Sequence, residues 1–411
     1  MRRVAVTGMG IVSPVGVGVC AAWETLTAGR SGAALITSFD TSEYTTRFAA
    51  CIDDFDPGPV LDAKEARRLS RFQQFALVAA DEALKDAGIG EVDEAEAERI
   101  GVVVGSGIGG LGLMEEQARV LAERGPSRVS PFLVPGMIID VAAGLISIRY
   151  GFKGINYAVV SACATGNHAI GEAFEAIRRG SADVIVAGGF DAGVTPLGLA
   201  GFAAARALST RNDDPAGASR PFDAGRDGFV IGEGGAALVL EDWDHATARG
   251  ATIRAELLGY GATADAYHVT APAPDGNGAY RSMRLALEQA ALDPSEVGYI
   301  NAHGTSTPLG DAAETGSIRE VFGSQAPPVS STKSMTGHLL GGAAAIEAVA
   351  CVRALETGVL PPTINYTDPD PECDLDYVPN VARVANPGVV LSNSFGFGGH
   401  NASIILGRAD R

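Results

Sequence analysis

The order of parts in this chain repeats, and a duplication constrains the fold more than any single motif does. In the first half, Gln74–Gly88 has the apolar spacing of a helix and leads into the strand-like run Ile100–Gly105. In the second, Ser282–Asp293 precedes Val297–His303 in the same order. Val160–Gly166 and Ser331–Gly337 then each carry a Thr-Gly turn followed by an alanine-rich helical stretch. Finally, Gly232–Gly235 and Gly396–Gly399 each open onto an apolar strand, Ala236–Leu240 and Ala402–Leu406. Strands alternating with amphipathic helices indicate βαβ units and parallel sheets covered on both faces; two such halves give a layered α/β architecture. The Asp-, Pro-, Gly- and Ser-rich segment Thr210–Ala224 reads as a surface loop, and the halves meet near Asp242–Gly250. The expected division is residues 1–250 and residues 251–411.

At 411 residues, 46% apolar and 19% charged, the chain can bury a large core without staples. Its start, Met-Arg-Arg followed by Val4–Gly10, reads as a buried strand entering a glycine turn rather than as a secretion signal. No run of about 18 apolar residues escapes a charge or a turn-former, which argues against a membrane span and for a cytoplasmic location. A formal net charge of −18 repels phosphate backbones and argues against nucleic acid as the main partner. Five scattered cysteines without a C-x-x-C pair suggest neither a disulfide framework nor a metal site.

Chemistry concentrates at three expected strand ends. Cys163 follows the apolar run Tyr157–Ala162 and precedes a helix with Ile170, Ala173, Phe174 and Ile177 on one face. Free amides and the positive end of that helix would favour thiolate, the form of a nucleophile; the alternative is a small cysteine that merely packs. His303 closes the strand Val297–Ala302 and begins His303-Gly-Thr-Ser-Thr307. His338 ends Lys333-Ser-Met-Thr-Gly-His338 at the start of the Ala/Gly-rich helix Leu339–Ala350, whose dipole would hold its ring neutral. Functional groups in α/β sheets gather at the carboxyl ends of strands, so one pocket could hold all three. His168 and His245 read as structural, and His268 and His400 have no assignment.

Gly396-Phe-Gly-Gly399 either closes a tight hairpin or brings backbone amides against an oxyanion. Gly105-Ser-Gly-Ile-Gly-Gly110 satisfies the dinucleotide fingerprint, but no acidic residue ends a second strand about 20 residues on, so a dinucleotide is not expected.

Taken together, Ser161-Ala-Cys-Ala-Thr-Gly166, His303-Gly-Thr-Ser-Thr307, Lys333–His338 and Gly396–Gly399 closely resemble the β-ketoacyl-acyl carrier protein synthases, most of all the elongating type II class of fatty acid synthesis and its polyketide relatives. The resemblance covers essentially the whole chain. It implies a thiolase-like fold of two duplicated halves in α-β-α-β-α layers, and decarboxylative condensation without cofactor or metal. It also implies acyl carrier protein as partner and a homodimer. The alternative is the catalytic subunit of an obligate heterodimer with a cysteine-less chain-length-factor subunit in a type II polyketide synthase.

The roles implied by resemblance are specific. Cys163 takes the acyl chain as a thioester, with the amides of Cys163 and Phe397 as its oxyanion hole. His303 and His338 bind the malonyl thioester carbonyl, supported by Lys333 and Glu314. Thr305 and Thr307 contact the malonyl and pantetheine arm, Phe397 gates entry beside Phe395, and Phe202 and Ile108 line the acyl tunnel. Carrier protein docks on Lys64, Arg67, Arg68 and Arg71 with Arg206. Thiolases differ in using a second cysteine in the C-terminal glycine loop, where this chain has His400-Asn401.

Overall fold

The computed structural model describes residues Met1–Arg411. Ten strands carry the fold. In the first half they are β1 (Val4–Ser13), β2 (Ile100–Gly105), β3 (Asn156–Tyr157), β4 (Val184–Ala192) and β5 (Glu233–Asp242). In the second they are β6 (Ala255–Ala264), β7 (Tyr299–Asn301), β8 (Val329–Ser330), β9 (Val389–Gly396) and β10 (His400–Arg408). The spatial order is β1-β5-β4-β2-β3 in one half and β6-β10-β9-β7-β8 in the other, the same permutation of sequence order twice.

Orientation repeats as well. The first two neighbouring pairs of each half are antiparallel and the last two are parallel. The sheets are therefore mixed rather than all parallel as the alternation of elements suggested. In the second half β10 returns directly from β9 by a tight hairpin, which needs no crossover and so runs against it; in the first half β5 runs against β4 in the same way after the longer excursion of residues 193–232. The halves meet where Val4, Ala5 and Val6 of β1 pair with Leu257, Glu256 and Ala255 of β6.

Helices occupy three layers. Helix α1 (Arg71–Ala87) covers the outer face of the first half, buries Phe72, Phe75, Ala76, Ala79, Ala80 and Ala83, and ends at Gly88 in the left-handed conformation. Two helices lie between the halves: α2 (Thr165–Arg178), which follows Cys163, and α5 (Ala343–Thr357), which follows His338. Their alanine and glycine faces permit close approach, and together with β1, β5 and β10 they form the central core. Helix α3 (Asn277–Ala290) and helix α4 (Pro308–Phe322) cover the outer face of the second half. Loop Thr210–Ala224 contains only a short turn at Pro215–Gly217, and Asp242–Gly250 contains the short helix Trp243–Ala248. No helix is long and apolar enough to cross a membrane.

Candidate active site

Cys163 does not end a strand: β3 stops at Tyr157, and Cys163 sits in the 3-10 turn Ala162–Ala164 that feeds α2. Ala162 is held at φ +50°, a left-handed backbone that alanine adopts only when its surroundings over-determine it. Thr165 supplies the bracket: its hydroxyl accepts the Ser161 N–H at 2.9 Å and donates to the Ala162 carbonyl at 2.7 Å.

The two histidines arrive from the other half. His338 Nε2 lies 3.0 Å from Cys163 Sγ, and the rings of His303 and His338 meet edge to face at 5.4 Å. Sulfur and imidazole nitrogens all lie within 4.8 Å of one another. Phe229 packs on His338 and Phe395 on His303, at 5.3 and 5.8 Å between ring centres.

Electrostatics set the protonation states. Burial, with Lys333 as a neighbouring cation, holds both imidazoles well below their usual range, so both are neutral at pH 7. The helix dipole is not the cause: after His338 comes a turn at Leu340–Gly342, and α5 starts only at Ala343. Cys163 reverses the expectation of a low pKa. Burial pushes its thiol up to about 11, although the Phe397 N–H and Lys333 pull the other way. The Lys333 charge, which adds to burial in keeping the imidazoles neutral, also opposes a cation among these three donors.

Around this centre, Glu314 accepts the backbone N–H of His303 at 2.8 Å and of Gly304 at 2.7 Å, fixing the His303 loop rather than the ring. Lys333 is buried and ion-paired with Glu347 of α5. Glu347 escaped the sequence reading, although a lone acid in an alanine-rich apolar helix opposite a buried lysine is the signal that could have found it. Phe229 carried no such signal.

The glycine loop is both a hairpin and an amide donor. Gly396 ends β9 and pairs with His400 of β10. The Phe397 N–H faces the sulfur, and so does that of Cys163. A Cβ on Gly396 would lie 2.8 Å from the Ser161 carbonyl oxygen and 3.1 Å from the Cys163 nitrogen, so only glycine allows this approach.

Cys163, His303 and His338 open onto a cavity of about 470 Å³. Its wall includes Phe202, Arg206, Thr305, Thr307, Glu314, Phe395 and Phe397. Asp265 and Asn401 also line it, tied to each other at 2.6 Å; neither stood out in the sequence. Ile108, expected on the tunnel wall, lies outside this cavity; it packs in the apolar cluster of Leu199, Leu340 and Phe229, next to Phe202. Lys333 lies behind the wall.

The basic residues separate. Arg206 is exposed at the cavity, whereas Lys64 and Arg68 border a different groove, where the Arg68 guanidinium lies over Phe132. Arg67 is exposed beside them. Arg71 is not a free docking charge: it grips the buried Glu233 carboxylate with two nitrogens and donates to the Ile52 carbonyl. A carboxylate this deep needs a charged partner, and Arg71 is committed to it.

The remaining histidines are local. His168 bonds the Ser161 hydroxyl, His245 the Glu241 carboxylate, and His268 Nδ1 accepts the N–H groups of Thr270 and Ala271. His400 is exposed at the start of β10.

Comparison with known proteins agrees with this geometry. Residues 1–246 match the family described as β-ketoacyl synthase, N-terminal domain, and residues 254–367 match β-ketoacyl synthase, C-terminal domain. The 3-oxoacyl-[acyl-carrier-protein] synthase 2 of Synechocystis sp. is 52% identical over 405 residues, 98% of this chain and 97% of the relative. That of Coxiella burnetii is 51% identical over 409 residues, 99% of each. Among solved structures, a β-ketoacyl synthase from Burkholderia phymatum superposes with a TM-score of 0.92 at 38% identity over the full length of both chains. The fold is thus the thiolase-like one. Matched in both halves and sharing about half of its positions with synthases of one kind, this chain belongs to the β-ketoacyl synthase family.

Proposed function

We infer that this protein is the elongating 3-oxoacyl-acyl carrier protein synthase of fatty acid synthesis, joining a Cys163-bound acyl chain to malonyl carried on acyl carrier protein. The observation that carries the reading is the convergence of one thiol and two neutral imidazoles within 4.8 Å at a cavity. Residues 1–250 contribute the nucleophile and residues 251–411 the histidines.

In the first half-reaction, Cys163 Sγ attacks the acyl thioester carbonyl while His338 Nε2, 3.0 Å away, accepts the sulfur's proton. The N–H groups of Cys163 and Phe397 hold the tetrahedral oxyanion. Its collapse expels the carrier's thiolate, which takes the proton back from His338. Both imidazoles are neutral again, and once the single proton of His338 has passed from Nδ1 to Nε2 by exchange through water, each ring donates one N–H to the next substrate.

Malonyl carrier protein then enters past Phe395 and Phe397, its pantetheine arm beside Thr305 and Thr307. His303 and His338 donate to the thioester carbonyl oxygen. The bond to the carboxylate breaks, carbon dioxide leaves, and the electron pair remains as an enolate that these donors stabilise. The enolate carbon attacks the acyl-Cys163 carbonyl, the same oxyanion hole receives the charge, and collapse releases the β-ketoacyl product and the Cys163 thiolate, which takes one proton from water to restore the resting thiol. Lys333 and Glu314 support the histidines by charge and by loop position.

Phe202 lines the acyl side of the cavity, and carrier protein docks through Arg206 with Lys64, Arg67 and Arg68. The protein works in the cytoplasm as a homodimer. The second reading, a subunit that depends on a cysteine-less partner, is supported by structural neighbours that are ketosynthase and chain-length-factor assemblies, such as the ishigamide pair at 38% identity and TM-score 0.92. The greater identity to relatives named 3-oxoacyl-[acyl-carrier-protein] synthase 2 supports the first.

Mass measurement of the purified chain with acyl and malonyl carrier proteins tests this directly. Acylation of Cys163 and release of a product two carbons longer are expected. Inertness until a partner subunit is co-expressed would favour the second reading, and condensation by Cys163→Ala would refute both.

A further inference from the structure

The glycine run Gly105–Gly110, which imitates a dinucleotide fingerprint, encloses a carboxylate of the protein itself. Asp191 in β4 is fully buried. It accepts the N–H groups of Gly107 at 2.8 Å, Ile108 at 3.1 Å and Gly341 at 2.6 Å, together with the Ser106 hydroxyl. The Ser106 oxygen in turn accepts the Gly109 N–H at 2.8 Å. These four partners all donate, an arrangement that suits an anion. Crowding explains the glycines: a Cβ on Gly107 would lie 2.9 Å from an Asp191 oxygen, and one on Gly341 would lie 2.8 Å from it. This is the geometry of a phosphate loop with an internal anion in place of a ligand.

The carboxylate joins two segments that meet behind the active-site cavity. One is the exit of β2 with Ile108. The other is the turn Leu340–Gly342, where Leu340 lines the cavity at φ +52°. A leucine holds that backbone only under outside constraint, and the Gly341 N–H bonded to Asp191 is the next group along the chain. Both side chains border Gly193: a Cβ there would lie 2.8 Å from Leu340 Cδ1 and 3.1 Å from Ile108 Cδ1. The same anion therefore sets the backbone beneath both.

We propose that Asp191 is a positioning residue for acyl-chain selection: its carboxylate clamps Ile108 and Leu340 against each other as the closed end of the acyl cavity, and so sets the longest chain that Cys163 accepts. The proposal rests on the elongating-synthase reading of this site. Nothing in it requires Asp191 to touch substrate.

The test is the rate of Cys163 acylation across a series of saturated acyl carrier protein thioesters, read by intact mass for wild type, Asp191→Asn, Ser106→Ala, Leu340→Gly and the Asp191→Asn/Leu340→Gly pair. An amide at 191 turns one acceptor into a donor facing donors. The ratio of long-chain to short-chain rates is expected to change by about tenfold, the value of a methylene or two of pocket space. Ser106→Ala removes one of four donors and is expected to move the ratio the same way by less. Glycine at 340 adopts a positive φ freely, so Asp191→Asn should have little further effect in that background. A uniform loss at all lengths, or additive effects of the two substitutions, would overturn the clamp and leave a merely structural carboxylate. If Asp191→Asn does not fold, an unchanged ratio in Ser106→Ala overturns it. A wild-type chain that accepts no acyl group would instead overturn the synthase reading, and the clamp with it.

Discussion

His338 Nε2 stands 3.0 Å from Cys163 Sγ, and burial keeps the imidazole neutral and the sulfur protonated. The resting pair is thus thiol and imidazole rather than thiolate and imidazolium. With the thiol pushed up to about 11, alkylation of the free enzyme by iodoacetamide should still climb above pH 9 and level only near pH 11. Lys333→Met, which removes a cation that favours thiolate, should move the curve upward. A plateau at about pH 6–7, the range of activated cysteines, would contradict the assigned states. Cys163→Ala should lose both alkylation at this site and all acyl transfer.

The two histidines should separate by step. His303 does not touch the sulfur, so His303→Ala should slow malonyl decarboxylation by about 10²–10³-fold while acylation of Cys163 persists. His338→Ala should impair both, because the same nitrogen that meets the malonyl oxygen accepts the thiol proton. Single-turnover acylation and carbon dioxide release, measured separately, distinguish the two. Equal losses in both assays for both variants would refute the division.

Legibility in the sequence followed the range of the interactions. The repeated order of helix, strand and Thr-Gly turn anticipated the duplicated layers, because each part announces itself over a few residues. Ile100–Gly105 is a strand with those bounds, and Gln74–Gly88 differs from α1 by a few residues at its start, where Ser70 and Gln73 form the capping box. Strand direction was not legible, because antiparallel β5 and β10 differ from parallel neighbours only in how the chain returns. The high Cys163 pKa is hidden from the sequence for a related reason: the helix end is local, whereas the burial that outweighs it comes from segments distant along the chain. That Leu340 lines the cavity while Ile108 packs in the same apolar cluster is not legible either, because the two come from segments more than two hundred residues apart.

Space at Gly396 makes a steric prediction. Gly396→Ala places a methyl 2.8 Å from the Ser161 carbonyl oxygen and 3.1 Å from the Cys163 nitrogen, so the hairpin must retreat and carry the Phe397 N–H with it. Loss of one oxyanion donor should lower kcat for condensation by about 10²–10³-fold. The melting temperature should change little, because the hairpin still pairs along β9 and β10. A variant with unimpaired turnover would remove Phe397 from the oxyanion hole.

Arg206 and Arg71 make opposite predictions although both are arginines of the expected docking set. Arg206 is exposed at the cavity, so Arg206→Glu should raise KM for acyl carrier protein severalfold, leave kcat nearly unchanged and leave a small-thioester substrate unaffected. Arg71→Glu faces the buried Glu233 with a like charge and should destabilise the fold, by about 3–5 kcal/mol in thermal or urea unfolding. A docking defect without instability in Arg71→Glu would reverse that assignment.

The buried Lys333–Glu347 pair separates stability from catalysis. Lys333→Met leaves the Glu347 carboxylate without its cation and should cost about 3–5 kcal/mol, whereas Lys333→Met/Glu347→Leu removes both charges and should recover most of that loss. Activity should not return in the double variant: burial still keeps His303 and His338 neutral, but the Lys333 cation that draws the Cys163 thiol down towards thiolate is gone. The pH dependence of stability carries the same signature. Burial raises Glu347 from 4.5 to about 7, so the folded state holds this proton more tightly than the unfolded chain does. Its contribution is complete below pH 4.5 and is lost as pH rises through about 7. Glu347→Gln should therefore remove up to about 1.4 kcal/mol per pH unit of that downward slope in urea titrations between these limits. An unchanged slope would mean that the carboxylate is already ionised throughout, with Lys333 fully compensating its burial.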